Sequence, residues 1–428
     1  MSASSIFVCQ QCGKTSAKWQ GRCDSCGAFG SLVEEVVIKS TTKLRASRSA
    51  NPVELSQISR QNWHRMTCGN ADVDKVLGGG IVPGSIVLLG GEPGIGKSTL
   101  LLQIADKIPN ALYITGEESL EQVSDRADRL KIKSNFKLLQ ETDINIIAAT
   151  IENEKPALVI IDSIQTVINS DIPGVAGSIV QVRGGAQLFQ QLAKKLNIPI
   201  VLVGHVTKEG TIAGPRTLEH IVDVVLSFEG DAFQQSRILR GLKNRFGATN
   251  EVAILSMSEN GLTTVDNPSE LFLSNHLDNV PGSVVTSILE GRRPLLVEVQ
   301  ALTVPTGFGY PKRTAVGIDL NRLNILVAVL QRRASLKLES SDVYVNVVGG
   351  IKIQDPAGDL AICVAIASSL LNISIPKSML IIGEVGLLGE IRPVSKLTDR
   401  EKEAKRLGYS STISEKTIKA VISKLFQK

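Results

Sequence analysis

Between about residues 66 and 266, short apolar runs alternate with longer segments of helical period. SIVLLGG, ALYIT, ALVIID, IPIVLVG and IVDVVLSF are the runs; KSTLLLQIADKI, SLEQVSDRADRL and IVQVRGGAQLFQQLAKKL lie among them. Short continuous β-branched runs suit strands buried on both faces, so the alternation predicts a mostly parallel sheet with helices on both sides. After a loop around DNPSELFLSN, strand-like GSVVTSILEG, PLLVEVQALTV and DVYVNVVGG mix with helical stretches, one from about Asn321 to Ala334 and one at GDLAICVAIASSLL. A separate α/β domain is expected over 275–428. Residues 1–35 are rich in Cys and Gly, and 36–65 form a polar, basic, aperiodic linker.

A chain of 428 residues exceeds what one core serves, in line with several domains. The net charge is +5, and residues 1–65 alone carry nine bases against four acids, which accounts for all of it. That imbalance suits a polyanion and suits solubility equally, so it selects no partner. No apolar run is long enough for a signal peptide or a membrane span, so the cytoplasm is the expected compartment, with no membrane partner.

Cys9, Cys12, Cys23 and Cys26 follow C-x2-C-x10-C-x2-C, and a glycine follows each pair. Each pair predicts a tight turn aiming two thiolates at one tetrahedral Zn²⁺, with the glycine relieving crowding. Four thiolates leave no open position, so the metal folds the module. Cys68 and Cys363 lie outside this pattern and are expected to be buried and inert.

GGEPGIGKST follows an apolar strand and precedes a helix, the context that makes G-x-x-x-x-G-K-S a P-loop. Gly91, Glu92, Pro93, Gly94, Ile95, Gly96, Lys97, Ser98 and Thr99 are the expected ATP-binding residues, with Lys97 on the phosphates and the Ser98 hydroxyl on Mg²⁺. Asp162, ending ALVIID beside Ser163, is the expected partner of the Mg²⁺ shell. Glu117 and Glu118 end the strand ALYIT, where ligands of open α/β sheets bind; Glu117 is the favoured water-orienting base.

CGNADVDKVLGGGIVPGSIVLLGGEPGIGKSTLLLQIA resembles the entry to a RecA-type ATPase core, and GLKNRFG after an N-terminal C4 module resembles the bacterial RadA (Sms) family over essentially the whole chain. The resemblance implies a DNA-dependent ATPase of recombinational repair that forms hexameric rings, engages single-stranded and branched DNA and drives branch migration. The zinc module is expected to recruit a RecA-type recombinase or to contact DNA.

In such rings a basic strand of one subunit reaches the nucleotide of the next. Lys243 and Arg245 stand two residues apart, so a strand projects both from one face, as an arginine finger requires. Phe246 reads as a core residue before a base-stacking one. Where RecA-like folds place DNA loops, Arg183, Lys208 and Arg216 are candidate phosphate contacts, and His205 ends IPIVLVG as a candidate sensor or a plain strand-end histidine.

The stretch from VEVQALTV to GEVGLLGEIRPVSKL resembles the proteolytic domain of the Lon family. At the nucleophile position stands Ala357, and Thr398 replaces the dyad lysine, with Lys396 two residues early. Without a paired nucleophile and base no protease activity is expected. Lys312, Arg313, Arg322 and Lys352 are candidate DNA contacts there. KaiC-like ATPases share the core, so a nucleotide-gated assembly protein without DNA work is the alternative reading.

Overall fold

Two tight turns hang from a three-stranded ribbon at the N-terminus. Its strands β1 (Ala3–Cys9), β2 (Thr15–Ser16) and β3 (Leu32–Ile38) pair antiparallel in the order β2-β1-β3. The computed structural model describes residues 3–38, 54, 56, 64–133, 136–205, 218–230, 236–265, 267–273, 280–307, 309–409 and 413–426. By contacts the chain divides into two units, Met1–Ala232 with Arg237–Thr264, and Phe233–Ser236 with Val265–Lys428.

The first unit is built on nine further strands: β4 (Ile86–Gly91), β5 (Ala111–Thr115), β6 (Lys137–Gln140), β7 (Leu158–Asp162), β8 (Ile200–His205), β9 (Val224–Gly230), β10 (Ser236–Asn244), β11 (Val252–Ser258) and β12 (Gly261–Thr264). They form one sheet in the order β12-β11-β10-β9-β4-β8-β7-β5-β6, parallel from β9 to β6. Every residue of β4 is buried, and its alternation feeds two cores: Val87 and Leu89 face one cluster, Ile86 and Leu88 the other. Helix α1 (Ala71–Val76), α2 (Lys97–Lys107) and α3 (Leu120–Arg129) contribute to the first cluster; α4 (Ile144–Glu154) and α5 (Ile179–Leu196) contribute to the second. The starts are locally encoded: Asn70 and Asp143 cap α1 and α4, and Ser119 with Gln122 forms a capping box on α3. Cys68 is buried in the first cluster, where desolvation pushes its thiol up.

The second unit begins with α6 (Pro268–Leu273) and carries a four-stranded sheet of β13 (Ser283–Glu290), β14 (Arg293–Pro305), β15 (Arg313–Val316) and β16 (Ser341–Val347), ordered β13-β14-β16-β15. Its helices are α7 (Leu320–Arg333), α8 (Asp359–Leu371), α9 (Leu397–Arg406) and α10 (Ile418–Phe426). Helix α8 is apolar on all sides and buried from Asp359 to Ser368, as a central helix must be; Cys363 lies within it. Arg400 is fully buried, with Nη1 donating to Ser287 O at 2.5 Å and Nη2 to Asp355 Oδ2 at 2.6 Å. Among the described residues no helix is long and apolar enough to cross a membrane.

Candidate functional site

The parallel strands aim their carboxyl ends at one edge of the sheet. There Gly91 pairs with His205, and Thr115 pairs with Asp162. The P-loop between β4 and α2 is shaped by its glycines. A Cβ on Gly91 would stand 2.6 Å from Phe228 O, and Gly96 has φ +111 at the start of α2. Glu92, Pro93 and Gly94 are exposed, Ile95 is buried, and Ser98 and Thr99 open the helix.

Lys97 is 4% exposed, and its ammonium donates to Gly91 O and Glu92 O, each at 2.9 Å, with His205 Nδ1 at 3.2 Å. Burial lowers its pKa, while Asp162 and Glu117 oppose the shift. A buried cation held mainly by neutral acceptors, inside a loop open to solvent, fits a phosphate group. When bound, ATP supplies the phosphoanhydride, and Mg²⁺ neutralises its β- and γ-phosphates.

Asp162 is buried at the end of β7 and accepts a 2.5 Å hydrogen bond from the Tyr113 hydroxyl. Ser98 lies close enough to act on the Tyr113 hydroxyl, so one buried phenol stands beside both expected Mg²⁺ partners. Sequence reasoning missed Tyr113; the available signal was one phenol in the otherwise aliphatic strand ALYIT.

Geometry separates the two glutamates. Glu118 is held by both Arg126 Nη atoms at 2.6 Å. Glu117 Oε1 accepts from Ser163 Oγ at 2.5 Å and lies 3.3 Å from His205 Nε2. The neighbouring His205 ring leads in drawing the Glu117 carboxyl down to about 2, with Ser163 and Lys97 adding to it against burial. Lys97, His205, Glu117 and Ser163 thus form one connected polar chain at the phosphate edge.

Lys243 and Arg245 lie elsewhere. Asn244 pairs with Val224, and Val224 pairs with Val87 near the start of β4. Gly91 is four residues further along β4, about 13 Å at ~3.3 Å per residue. The register shift between Gly241 and Lys243 leaves Leu242 exposed, and Lys243 and Arg245 both turn to residues 219–223. Lys243 donates to Glu219 O and, at 2.8 Å, to Val222 O; Arg245 donates to Asp223 Oδ1 at 3.1 Å. Phe246 packs on the first core, and Arg65 binds its carbonyl at 2.7 Å. Neither cation reaches the P-loop of its own chain.

In the ribbon, the four Sγ atoms lie within 4.8 Å of one another, with Cys9–Cys26 at 3.7 Å and Cys12–Cys23 at 3.5 Å. Four sulfurs each ~2.3 Å from one tetrahedral zinc stand about 3.8 Å apart, so the thiols fit that ion. The turn glycines adopt a left-handed backbone, Gly13 at φ +72 and Gly27 at φ +74, and their N–H groups bond Cys9 O and Cys23 O at 2.8 Å.

The remaining cations scatter. Arg183 is exposed on α5, and Lys208 and Arg216 fall outside the described residues. In the second unit, Arg322 binds the buried Asp359 and Val385 O, and Arg313 donates to Lys312 O, Ser341 O and Leu338 O. Both guanidinium groups are thus engaged inside their own domain. Lys352 is exposed. Ala357 is fully buried among Val285, Leu296 and Leu380, Thr398 is exposed, and Lys396 donates to Arg292 O.

Three family models match separate segments: Rubredoxin metal binding domain over residues 7–34, AAA domain over 51–211, and Subunit ChlI of Mg-chelatase over 317–417. DNA repair protein RadA of Streptococcus pyogenes serotype M6 is 48% identical over 417 residues, 96% of this chain and 92% of that protein. DNA repair protein RadA of Bacillus subtilis strain 168 is 48% identical over 420 residues, again 96% and 92%. The chain belongs to the RadA family. DNA repair protein RadA of Pseudomonas aeruginosa is 46% identical over 420 residues, 96% of this chain and 92% of that protein. A crystal structure of the RadB recombinase aligns with 47% of this chain and 99% of its own, at 21% identity and a TM-score of 0.38.

The expected architecture of zinc ribbon, RecA-like ATPase core and Lon-protease-like α/β domain therefore holds for this RadA-family chain. ATP, Mg²⁺ and Zn²⁺ are the cofactors its domains imply.

Proposed function

We propose that this chain is an ATP-driven DNA motor of recombinational repair that binds single-stranded and branched DNA and promotes branch migration. Asp162 holds the Mg²⁺ shell, Glu117 orients the attacking water, and Lys243 with Arg245 completes the site of a neighbouring subunit in a cytoplasmic ring, expected to be hexameric.

One observation carries this reading: Lys243 and Arg245 sit at the edge of the sheet opposite their own P-loop. Their distance from their own nucleotide supports a role at that of a neighbouring subunit. The polar chain from Lys97 through His205 to Glu117 supports His205 as the sensor, since loss of either end is felt at the other. Arg183 and Lys352 are the exposed cations proposed to contact phosphates, together with Lys208 and Arg216, which lie outside the described residues. A RecA-type recombinase is the proposed protein partner. The Lon-like domain acts as a scaffold without protease activity, because buried Ala357 offers no nucleophile.

The test is the steady-state ATPase rate with and without single-stranded DNA, alongside a Lys97→Ala control. Stimulation of several-fold that fades with salt supports the motor. A rate indifferent to DNA transfers the reading to a KaiC-like assembly ATPase.

A further inference from the structure

Two apolar surfaces of the second unit face solvent, and they stand on opposite sides of it. A hairpin joins β17 (Glu384–Val385) to β18 (Ile391–Arg392), and its tip carries Leu387, 69% exposed, and Leu388, 74% exposed. The tip is held in shape: Gly389 N donates to Gly386 O at 2.9 Å, and Leu388 N to Glu390 Oε2 at 3.1 Å. The hairpin rests on the outer helices, since Arg322 of α7 donates to Val385 O at 3.2 Å and Ile418 N of α10 to Gly389 O at 2.8 Å. Both of those helices pack on α8, which lies between them and the sheet. On the sheet side, Thr303 N of β14 donates to Ser369 Oγ of α8 at 2.9 Å, so Leu302, Gln300 and Glu298 point to the face away from α8. A groove of about 470 Å³ opens there, walled by Leu302 and Val316, 59% and 55% exposed, with Tyr344 beside Leu302 and Glu298 buried.

We propose that the hairpin tip of one copy seats in the sheet groove of the next, joining Lon-like domains head to tail with Leu387 and Leu388 against Leu302 and Val316. Three features favour a second copy of this chain as the occupant. Knob and socket lie on opposite faces, so a domain cannot fill its own groove, and a contact between unlike faces repeats from copy to copy, as a ring requires. The leucines stand on a turn already fixed by its own hydrogen bonds, so docking them orders little backbone. Charge also matches. Glu298, whose carboxylate accepts from Ser283 Oγ at 2.6 Å and Gln300 Nε2 at 3.0 Å, is the one charged residue lining the groove among the described residues. The stem of Arg333 runs beside the knob, its Cγ 3.1 Å from where a Cβ on Gly389 would stand. The contact rests on the ring reading above and gives that ring a joint of its own in the Lon-like domain, separate from the basic strand.

Full-length Leu388→Cys and Val316→Cys chains are purified singly and as a co-expressed pair, then treated with the short cross-linker bismaleimidoethane. The parent, with its own six cysteines, sets the background. The proposal expects a cross-linked dimer from the co-expressed pair, well above the level of either variant alone. Light scattering supplies a second readout. Leu388→Asp should raise the chain concentration at half-assembly at least about tenfold, as loss of a central apolar anchor does. Adding Val316→Lys to that chain should bring the value back to within about threefold of the parent, because the new charges then meet across the joint. Both positions are exposed, so neither change enters the domain core, and rescue by the second charge is what a merely destabilised fold would not show. If the parent assembles but the co-expressed pair gives no cross-link, or Leu388→Asp assembles like the parent, the contact is overturned and the ring reading stands. A parent chain that stays monomeric with ATP and DNA present would remove both.

Discussion

His205 Nε2 lies 3.3 Å from Glu117 Oε1. The Lys97 ammonium can only donate, so His205 Nδ1 accepts from it and Nε2 is the nitrogen nearest the carboxylate. The His205 ring is the main reason the Glu117 carboxyl is drawn down to about 2. A carboxyl lowered by folding adds stability that is complete above its unfolded value and is lost as pH falls through its folded value. Glu117→Gln is therefore expected to unfold at lower urea than the parent at neutral pH, with the gap narrowing only below about pH 5. Urea midpoints of both proteins across pH check this, and a gap that stays constant down to about pH 3 counts against that contact.

Tyr113 makes a second prediction. Its hydroxyl donates to Asp162 and lies beside Ser98, so it steadies the buried carboxylate expected to hold the Mg²⁺ shell. Tyr113→Phe deletes that hydroxyl with little change in shape, and a lost hydrogen bond to a buried charge costs about 1.5–3 kcal/mol. The Mg²⁺ concentration giving half-maximal ATPase rate should rise about tenfold, with kcat at saturating Mg²⁺ within about twofold, since the phenol orders the site without touching the reacting atoms. Equal Mg²⁺ curves for the two proteins would show that Asp162 needs no such support.

Much of this site is local chemistry and was legible as such. The P-loop, the Cys pairs and the turn glycines Gly13 and Gly27 follow from residues adjacent in sequence, where spacing and φ are tightly coupled. The sequence favoured Glu117 over Glu118 without the contacts that set the two apart, Arg126 on the next helix and His205 from a distant strand. Arg322 depends on the same kind of distant contact. A cation beside a turn reads as surface charge until the fold brings buried Asp359 against it. The opposition of Lys243 to its own P-loop likewise needed strand order, which two-residue spacing does not contain.

The second unit carries its own test. Arg400 is fully buried and depends on Asp355 for its charge partner. Removing one member of a buried pair leaves the other uncompensated, which costs about 3–5 kcal/mol. Asp355→Ala is expected to lose that much in urea unfolding of the transition assigned to the Lon-like domain. A loss under about 1 kcal/mol would mean that the carbonyls of Ser287 and Ser395 satisfy Arg400 alone.

Zinc removal separates folding from chemistry. The ribbon core is small and the thiols hold it together, so chelation or Cys9→Ala should release one zinc per chain and open residues 3–38 to trypsin. The DNA-free ATPase rate should stay within about twofold, because the four thiolates of a closed site offer no position for catalysis. Loss of that rate in step with the zinc would tie the ribbon to the ATPase site directly.

The decisive prediction concerns sharing of the site between subunits. Lys97→Ala destroys the P-loop but keeps Lys243 and Arg245, and Lys243→Ala does the opposite. Each variant alone should be inactive with DNA present. In co-assembled mixtures, an intact site forms wherever the P-loop of a Lys243→Ala chain meets the basic strand of a Lys97→Ala chain. At equal proportions with random neighbours that is roughly a quarter of all head-to-tail interfaces. Partial recovery of the DNA-stimulated rate, highest near equal proportions, is the expected outcome. Were Lys243 to act within its own chain, or only to hold Glu219 O and Val222 O in place, no mixing ratio would restore activity. The ATPase rate against mixing ratio therefore distinguishes a trans-acting cation from a structural one in a way that neither variant does alone.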